Sequence, residues 1–232
     1  MQSLENRIRP GSGGSPRVVC AQLAHLDSIV TIHMKAFRGF FLESLGERFL
    51  KELYLGFLLE RSEICLVAID CRRVVGFVAG TSEPDQFFLR LLRSRWPAFL
   101  FAGLVALLLR PLRVGSKFLY VLRYRGERAV DVPHAALLSS IGVARGETGK
   151  GIGGMLLSSF CDEVRVRGVP VVFLTADRDR NDAVNRLYRS NGFTWHSSFL
   201  KKPCRWMNLY TRSLFEAQPA GHGSPIRMAA IR

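Results

Sequence analysis

The segment 141–154, IGVARGETGKGIGG, constrains this chain more than any other. Gly149, Gly151, Gly153 and Gly154 stand between an apolar run at 136–143 that reads as a strand and a periodic apolar run at 151–167 that reads as a helix. Without Cβ atoms such a loop lets an anion approach the backbone closely, with several N–H groups aimed at it. The positive end of the following helix dipole adds to the attraction. Lys150 brings a mobile positive charge to the same place. The loop therefore reads as a cradle for a phosphate-bearing ligand; a glycine-rich turn that holds nothing is the alternative.

Two phosphate motifs can be tested against these residues. A nucleoside-triphosphate loop requires Ser or Thr after its lysine and a glycine five positions before the last one. Here Gly151 follows Lys150 and Ala144 takes the earlier place, so that motif fails. Gly149, Gly151 and Gly154 do satisfy the dinucleotide pattern, and Asp177 lies where a ribose-binding acid would be. Against it, the first glycine comes several residues after Val143, and too little chain follows to double a nucleotide-binding sheet.

Periodicity organises the rest. A short strand reads at 17–22, a helix capped by Asp27 through residue 36, a second helix at 45–60, and a hairpin of strands 64–69 and 74–81 with its turn at 70–73. After the glycine loop and its helix come a strand at 171–175, a helix at 182–190, and strands at 194–200 and 205–212. The expected order is β-α-α-β-β-(insertion)-β-α-β-α-β-β, a mixed α/β sheet. The insertion spans about 83–130: an arginine-flanked helix at 87–95, an apolar run at 96–109 and a second basic stretch at 117–125. Residues 1–16 and 215–232, rich in Pro, Gly and Ser, read as a flexible leader and tail around one domain at 17–214.

Charge and cysteines narrow the partners. A formal charge of +14 favours anionic ligands, which include nucleotides, nucleic acids and anionic membranes. No zinc, helix-turn-helix or interleaved aromatic signature supports nucleic acid, and that partner is not expected. Five scattered cysteines without a C-x-x-C pair read as reduced thiols of a cytoplasmic protein, with neither a metal site nor a disulfide framework. The apolar run at 96–109 is shorter than the roughly 20 residues of a membrane span. With its arginines it reads as a lid packed on the core, a homodimer contact, or a peripheral anchor on an anionic inner leaflet.

Two segments together carry a family resemblance. V-A-R-G-E-T-G-K-G-I-G-G-M-L-L, from Val143, is similar to the pyrophosphate loop of the GNAT superfamily of acyl-CoA-dependent N-acetyltransferases. N-D-A-V-N-R-L-Y-R-S-N-G-F, at 181–193, resembles that family's second signature. Arg145 stands where the family often has proline, Thr148 where it has Arg or Gln, and Val184 where alanine is usual. The resemblance covers 17–214, with 83–130 as an addition. It implies a mixed, mostly antiparallel sheet flanked by helices, with a basic and apolar helical insertion.

The same resemblance implies acetyl-CoA as co-substrate, no metal, and transfer of an acetyl group to the primary amine of a small molecule by direct attack in a ternary complex. Thr148, Gly149, Lys150, Gly151, Ile152, Gly153 and Gly154 would cradle the pyrophosphate, Ile141 and Val143 would pair with the pantetheine, and Asn181 and Asn185 would orient the CoA. Tyr188 would protonate the leaving thiolate as general acid; packing in the core is its other reading. For a general base, Glu43, His134 and Asp177 are the candidates, each equally readable as structural. Arg38, Phe41 and Glu43, in the F-R-G-F-F-L-E-S-L-G loop, would face the acceptor. Their neighbourhood suits an amino sugar on a nucleotide carrier. A non-catalytic module of the same fold, binding acyl-CoA or a membrane surface, is the alternative from a different class.

Overall fold

The computed structural model describes residues 15–60, 62–87, 134–201 and 205–215, with residues 90, 91, 93 and 97. The elements run β1 (Arg17–Cys20), a 3-10 turn (Leu23–His25), α1 (Leu26–Ala36), α2 (Phe41–Ser44), α3 (Glu47–Leu59), β2 (Glu63–Asp70), β3 (Arg73–Thr81) and β4 (Ala135–Val143). Then follow α4 (Ile152–Val166), β5 (Val171–Asp177), α5 (Asp182–Ser190), β6 (Thr194–Lys201) and β7 (Arg205–Ser213).

These strands form one seven-stranded sheet in the order β1-β2-β3-β4-β5-β7-β6. Every neighbouring pair is antiparallel except β4 and β5. Strand β2 shows why its sequence lacks the alternation of a half-exposed strand. Ile64, Leu66 and Ala68 pack with α4 residues such as Leu156 and Phe160, while Cys65 and Val67 pack with α1 and α3 residues such as Ile29 and Tyr54. Both faces are covered, so an unbroken apolar run is what the position demands. Burying a side chain of Leu or Phe size contributes about 1.5–3 kcal/mol, so these two cores hold the sheet from either side.

The β4–β5 ladder is short. It joins Ala135 to Val171, Ala136 to Val172 and Leu137 to Phe173, and beyond these residues the two strands part. A bulge lies at the same level: Ala79 pairs with Ser140 and Gly80 with Leu138, which leaves Ser139 over. Gly80 is required there, because a Cβ would stand 2.3 Å from the Leu137 carbonyl oxygen and 2.5 Å from Phe160. The outcome is a split sheet, closed where β4 begins and open where it ends.

The structure refines several expectations. Asp27 lies in the first turn of α1 rather than at its cap, with its carboxylate 2.9 Å from Lys51. The helix expected at 45–60 is α3, starting two residues later after Gly46 at φ +90°, and a short helix not expected from the sequence, α2, precedes it. The hairpin turn uses Cys71 and Arg72, both at positive φ, where a two-residue turn ordinarily recruits Asn or Gly. The start of the insertion belongs to the core. Phe87 and Leu91 are buried, the Phe87 ring lies 4.4 Å from that of Phe57, and Leu91 fills the space beside Gly56. Arg90 reinforces this attachment through Glu83 and the buried carboxylate of Glu63. Residues 98–130, with the second basic stretch and most of the apolar run, lie outside the described residues, as do 1–14 and 216–232. No helix among the described residues is long and apolar enough to cross a membrane.

Candidate active site

The glycine loop delivers the chain from β4 to the N-terminus of α4. Gly149 and Gly151 hold φ of +84° and +79°, and a Cβ on either would meet nothing within 4 Å. Backbone conformation alone therefore selects glycine at these two positions. Gly151 is the N-cap; no side chain caps the helix and no acid stands in its first turn. The Met155 N–H reaches the Gly151 carbonyl at 3.1 Å, so the N–H groups of Ile152, Gly153 and Gly154 precede the first helical bond. A 15-residue helix lies behind them.

Gly153 and Gly154 have a second reason to be glycine that spacing alone does not reveal. Cβ atoms there would lie 3.1 Å from Leu187 on α5 and 3.3 Å from Asn191 at its C-terminal cap. These two residues let α4 and α5 pack closely, while Ile152 anchors the helix start in the core with its buried side chain. Thr148 is exposed. Lys150 is directed to Glu147, with its ammonium 2.7 Å from the carboxylate, and this partner raises its pKa.

Along β4, the Ala144 N–H donates to the Val75 carbonyl at 2.8 Å. Antiparallel alternation gives Gly142, opposite Phe77, the same sense, and turns the backbone groups of Ile141 and Val143 the other way, toward the gap. On the far arm, Tyr188 and Asn185 lie on the inner face of α5. Tyr188 is 5 % exposed and packs on Phe193 and Tyr210, with ring centroids 6.0 and 5.8 Å away. Burial, and then the neighbouring Tyr210, push its phenol above the ordinary value, so it carries its proton through the neutral range. Among the described residues its hydroxyl has no hydrogen-bond partner.

Asn185 sits in a different setting from the one its sequence position suggested. Its amide Nδ2 donates to the carbonyls of Asp177 and Arg178, and its Oδ1 accepts from the Tyr210 hydroxyl at 2.9 Å. Asn208 completes this buried group. The Asn185 side chain thus ties α5 to β5 and β7 in the core, and burial commits its hydrogen-bonding groups to the fold. Asn181, at the N-cap of α5, donates to the Asp177 carbonyl at 3.3 Å and stays partly exposed.

The three base candidates do not converge. His134 precedes Ala135 at the closed end of the β4–β5 ladder, away from the opening. Asp177 is held by Arg205 through both carboxylate oxygens. Glu43 accepts the Gly39 N–H at 3.2 Å, within the α1–α2 turn, where Arg38 is exposed and Phe41 opens α2. Residues that sequence reasoning missed complete this side. The Arg205 guanidinium lies 4.3 Å above the Phe40 ring, and His33, buried in α1, shares a 2.7 Å hydrogen bond with Tyr54. Neither contact has a sequence signal, since the partners are far apart in the chain. Among the described residues no group of three His, Cys, Asp or Glu side chains could hold a metal ion.

Residues 26–193 match the Acetyltransferase (GNAT) family. No curated protein sequence matches the chain. Among solved structures, yncA from Salmonella typhimurium, solved with acetyl-CoA, superposes with a TM-score of 0.57 at 17 % identity, over 90 % of this chain and 99 % of that one. The ribosomal-protein-S18-alanine N-acetyltransferase of Escherichia coli gives 0.54 at 13 % identity, over 90 % and 99 %. A spermidine N-acetyltransferase SpeG chimera, from Vibrio cholerae and hSSAT, gives 0.56 at 14 %, over 86 % and 96 %. At such identities the likeness is one of fold.

Proposed function

The chain belongs to the Acetyltransferase (GNAT) family, and from that premise we propose how this acetyl-CoA-dependent N-acetyltransferase is built and what it acetylates. The observation that carries the reading is one juxtaposition. Beyond Leu137 one edge of β4 has no β5 partner, and the strand leads directly into the uncapped start of α4, while α5 across the split carries the protonated Tyr188.

The pyrophosphate of acetyl-CoA lies on the N–H groups of Ile152, Gly153 and Gly154, beside Thr148, Gly149, Lys150 and Gly151. The pantetheine runs in the gap as an added strand on Ile141 and Val143. One of these backbone donors meets the thioester carbonyl and stabilises the oxyanion that forms when the amine attacks. As the tetrahedral adduct collapses, the carbon–sulfur bond breaks and the thiolate takes the Tyr188 proton. The proton released by the amine passes to solvent and restores the phenol. Asn181 borders this path, while Asn185 positions α5.

For the acceptor we propose a primary amine on an anionic carrier, with an amino sugar linked to a nucleotide as the candidate. The +14 charge and exposed Arg38 favour an anion, and the aromatic α1–α2 turn with Phe40 offers a face to a base or sugar. Residues 17–214 form the catalytic domain. For the insertion, the buried Phe87 and Leu91 favour a lid packed on the core over an anchor on an anionic membrane or a homodimer contact.

Release of free thiol from acetyl-CoA across a panel of nucleotide-linked amino sugars, peptide N-termini and polyamines tests the reading. Turnover highest with the nucleotide-linked amines supports it. Turnover confined to neutral or cationic amines would remove the anionic acceptor. Tight acetyl-CoA binding without release for any amine would leave a non-catalytic binding module.

A further inference from the structure

The two arms of the split sheet meet again on the acceptor side through three residues that no family motif includes. Helix α1 rides on the β4 arm at its open end, where a Cβ on Gly142 would stand 3.3 Å from Ile32. The turn that leaves α1 carries Phe40. On the other arm, Asp177 ends β5 and Arg205 begins β7. Both lie beyond the last β4–β5 pair, Leu137 with Phe173, and so at the open end. Arg205 closes the distance: its fork grips both oxygens of Asp177 while its Cζ lies 4.3 Å from the centroid of the Phe40 ring.

Each half of this contact is braced from behind. The Phe40 ring meets Phe37 edge-on at 5.6 Å, Phe37 lies 4.5 Å from the His33 ring, and His33 is bonded to Tyr54 in the core between α1 and α3. That file of rings fixes where Phe40 stands. Asp177 is fixed in turn, because its carbonyl accepts from Asn181 and Asn185. The contact between the braced halves is itself open to water, with the Arg205 side chain 37 % exposed. Ion pairs and cation–aromatic contacts in such a setting are weak enough to break when a ligand arrives.

We propose that Phe40, Arg205 and Asp177 form a clasp over the acceptor mouth of the split sheet, with Arg205 as the positioning residue that keeps water from the thioester until an amine opens it. This rests on the acetyl-transfer reading above. A thioester exposed at an open mouth hydrolyses, with water adding to the carbonyl carbon, the carbon–sulfur bond breaking, and acetate and free CoA thiol leaving. A closed clasp excludes that water. The requirement is a planar cation that can grip a carboxylate and stack on a ring at once, which arginine meets and lysine meets only in part.

The test measures thiol release from acetyl-CoA without any amine, in the full chain, with acetyl-CoA affinity by calorimetry alongside. Arg205→Ala is expected to raise amine-independent release about fivefold or more, Arg205→Lys to fall between, and acetyl-CoA affinity to stay within about twofold in both. Phe40→Leu reaches the same contact from the other arm, keeps an apolar side chain, and should leak like Arg205→Ala. If folded Arg205→Ala and Phe40→Leu proteins bind acetyl-CoA normally and release no more thiol than the parent, the clasp is wrong and the transferase reading stands. A parent chain that binds no acetyl-CoA at all would instead overturn the functional reading, and the clasp with it.

Discussion

On the α4–α5 face, two glycines let helices from the two arms of the sheet pack directly, with Leu187 and Asn191 against Gly153 and Gly154. On the α1 face the arms meet through one ring and one guanidinium, and water reaches the contact. The first bridge is made of backbone and packing, and it adjoins the loop that we propose as the phosphate cradle. The second is made of side chains on a turn and a strand end, and we propose that it faces the acceptor. A backbone cradle tolerates few sequences, whereas surface side chains can change without loss of the fold. Cofactor binding and acceptor choice should therefore respond to different substitutions.

The largest expected effect lies on the cradle. Gly151→Asp forces a side chain onto a left-handed backbone and sets a carboxylate against phosphate, so acetyl-CoA affinity should fall several hundredfold, or about 4 kcal/mol at an effective dielectric near 20. Calorimetry checks this, and unchanged affinity would break the comparison on its cofactor side.

Next comes His33, which braces the Phe37 and Phe40 rings. Burial lowers its pKa to about 4 from 6.5, so between those values the unfolded chain binds a proton that the folded chain refuses. Stability should be unaffected by this group above pH 6.5, and about 3 kcal/mol should be lost as pH falls from 6.5 to 4. In His33→Phe that part of the acid slope should vanish from denaturant titrations; a slope equal to the parent's would place the titration elsewhere.

Tyr188→Phe should lower kcat about 100-fold with acetyl-CoA affinity unchanged. Because the Tyr188 phenol is shifted upward, it keeps its proton as pH rises toward 10, and an alkaline fall in rate at pH 8–9 should not disappear in the variant. A kcat equal to the parent's would reduce Tyr188 to packing. The smallest effect belongs to Lys150→Ala. Its exposed pair with Glu147 adds little to the fold, so thermal stability should hold while acetyl-CoA affinity drops about threefold at low salt and less at high salt.

Residue patterns carried the strand and helix order because most elements have one clear period or a fully covered apolar run. The position of the glycine loop before α4 and of Tyr188 on α5 was legible for a similar reason: both lie in short, contiguous signatures. Other features depend on tertiary neighbours. The short helix α2 falls in a segment that reads as a loop, because four residues are too few to show a helical period, and Gly46 at positive φ separates it from α3. The bulge at Ser139 depends on Gly80 passing the Leu137 carbonyl, a contact between strands 57 residues apart. Asn185 looked like a ligand-binding residue because its motif position was visible and its partners Tyr210 and Asn208 were not. The Phe40–Arg205–Asp177 contact joins three distant segments and leaves no trace in spacing.

We propose that acetyl-CoA lies along the open stretch of β4 and ends on the first turn of α4. Amide hydrogen exchange, with and without saturating acetyl-CoA, reads that placement residue by residue. The N–H groups of Ile141, Val143, Ile152, Gly153 and Gly154 should slow by tenfold or more on binding, while those of β2 stay unchanged. Binding that leaves all five exchanging at their free rates would contradict it.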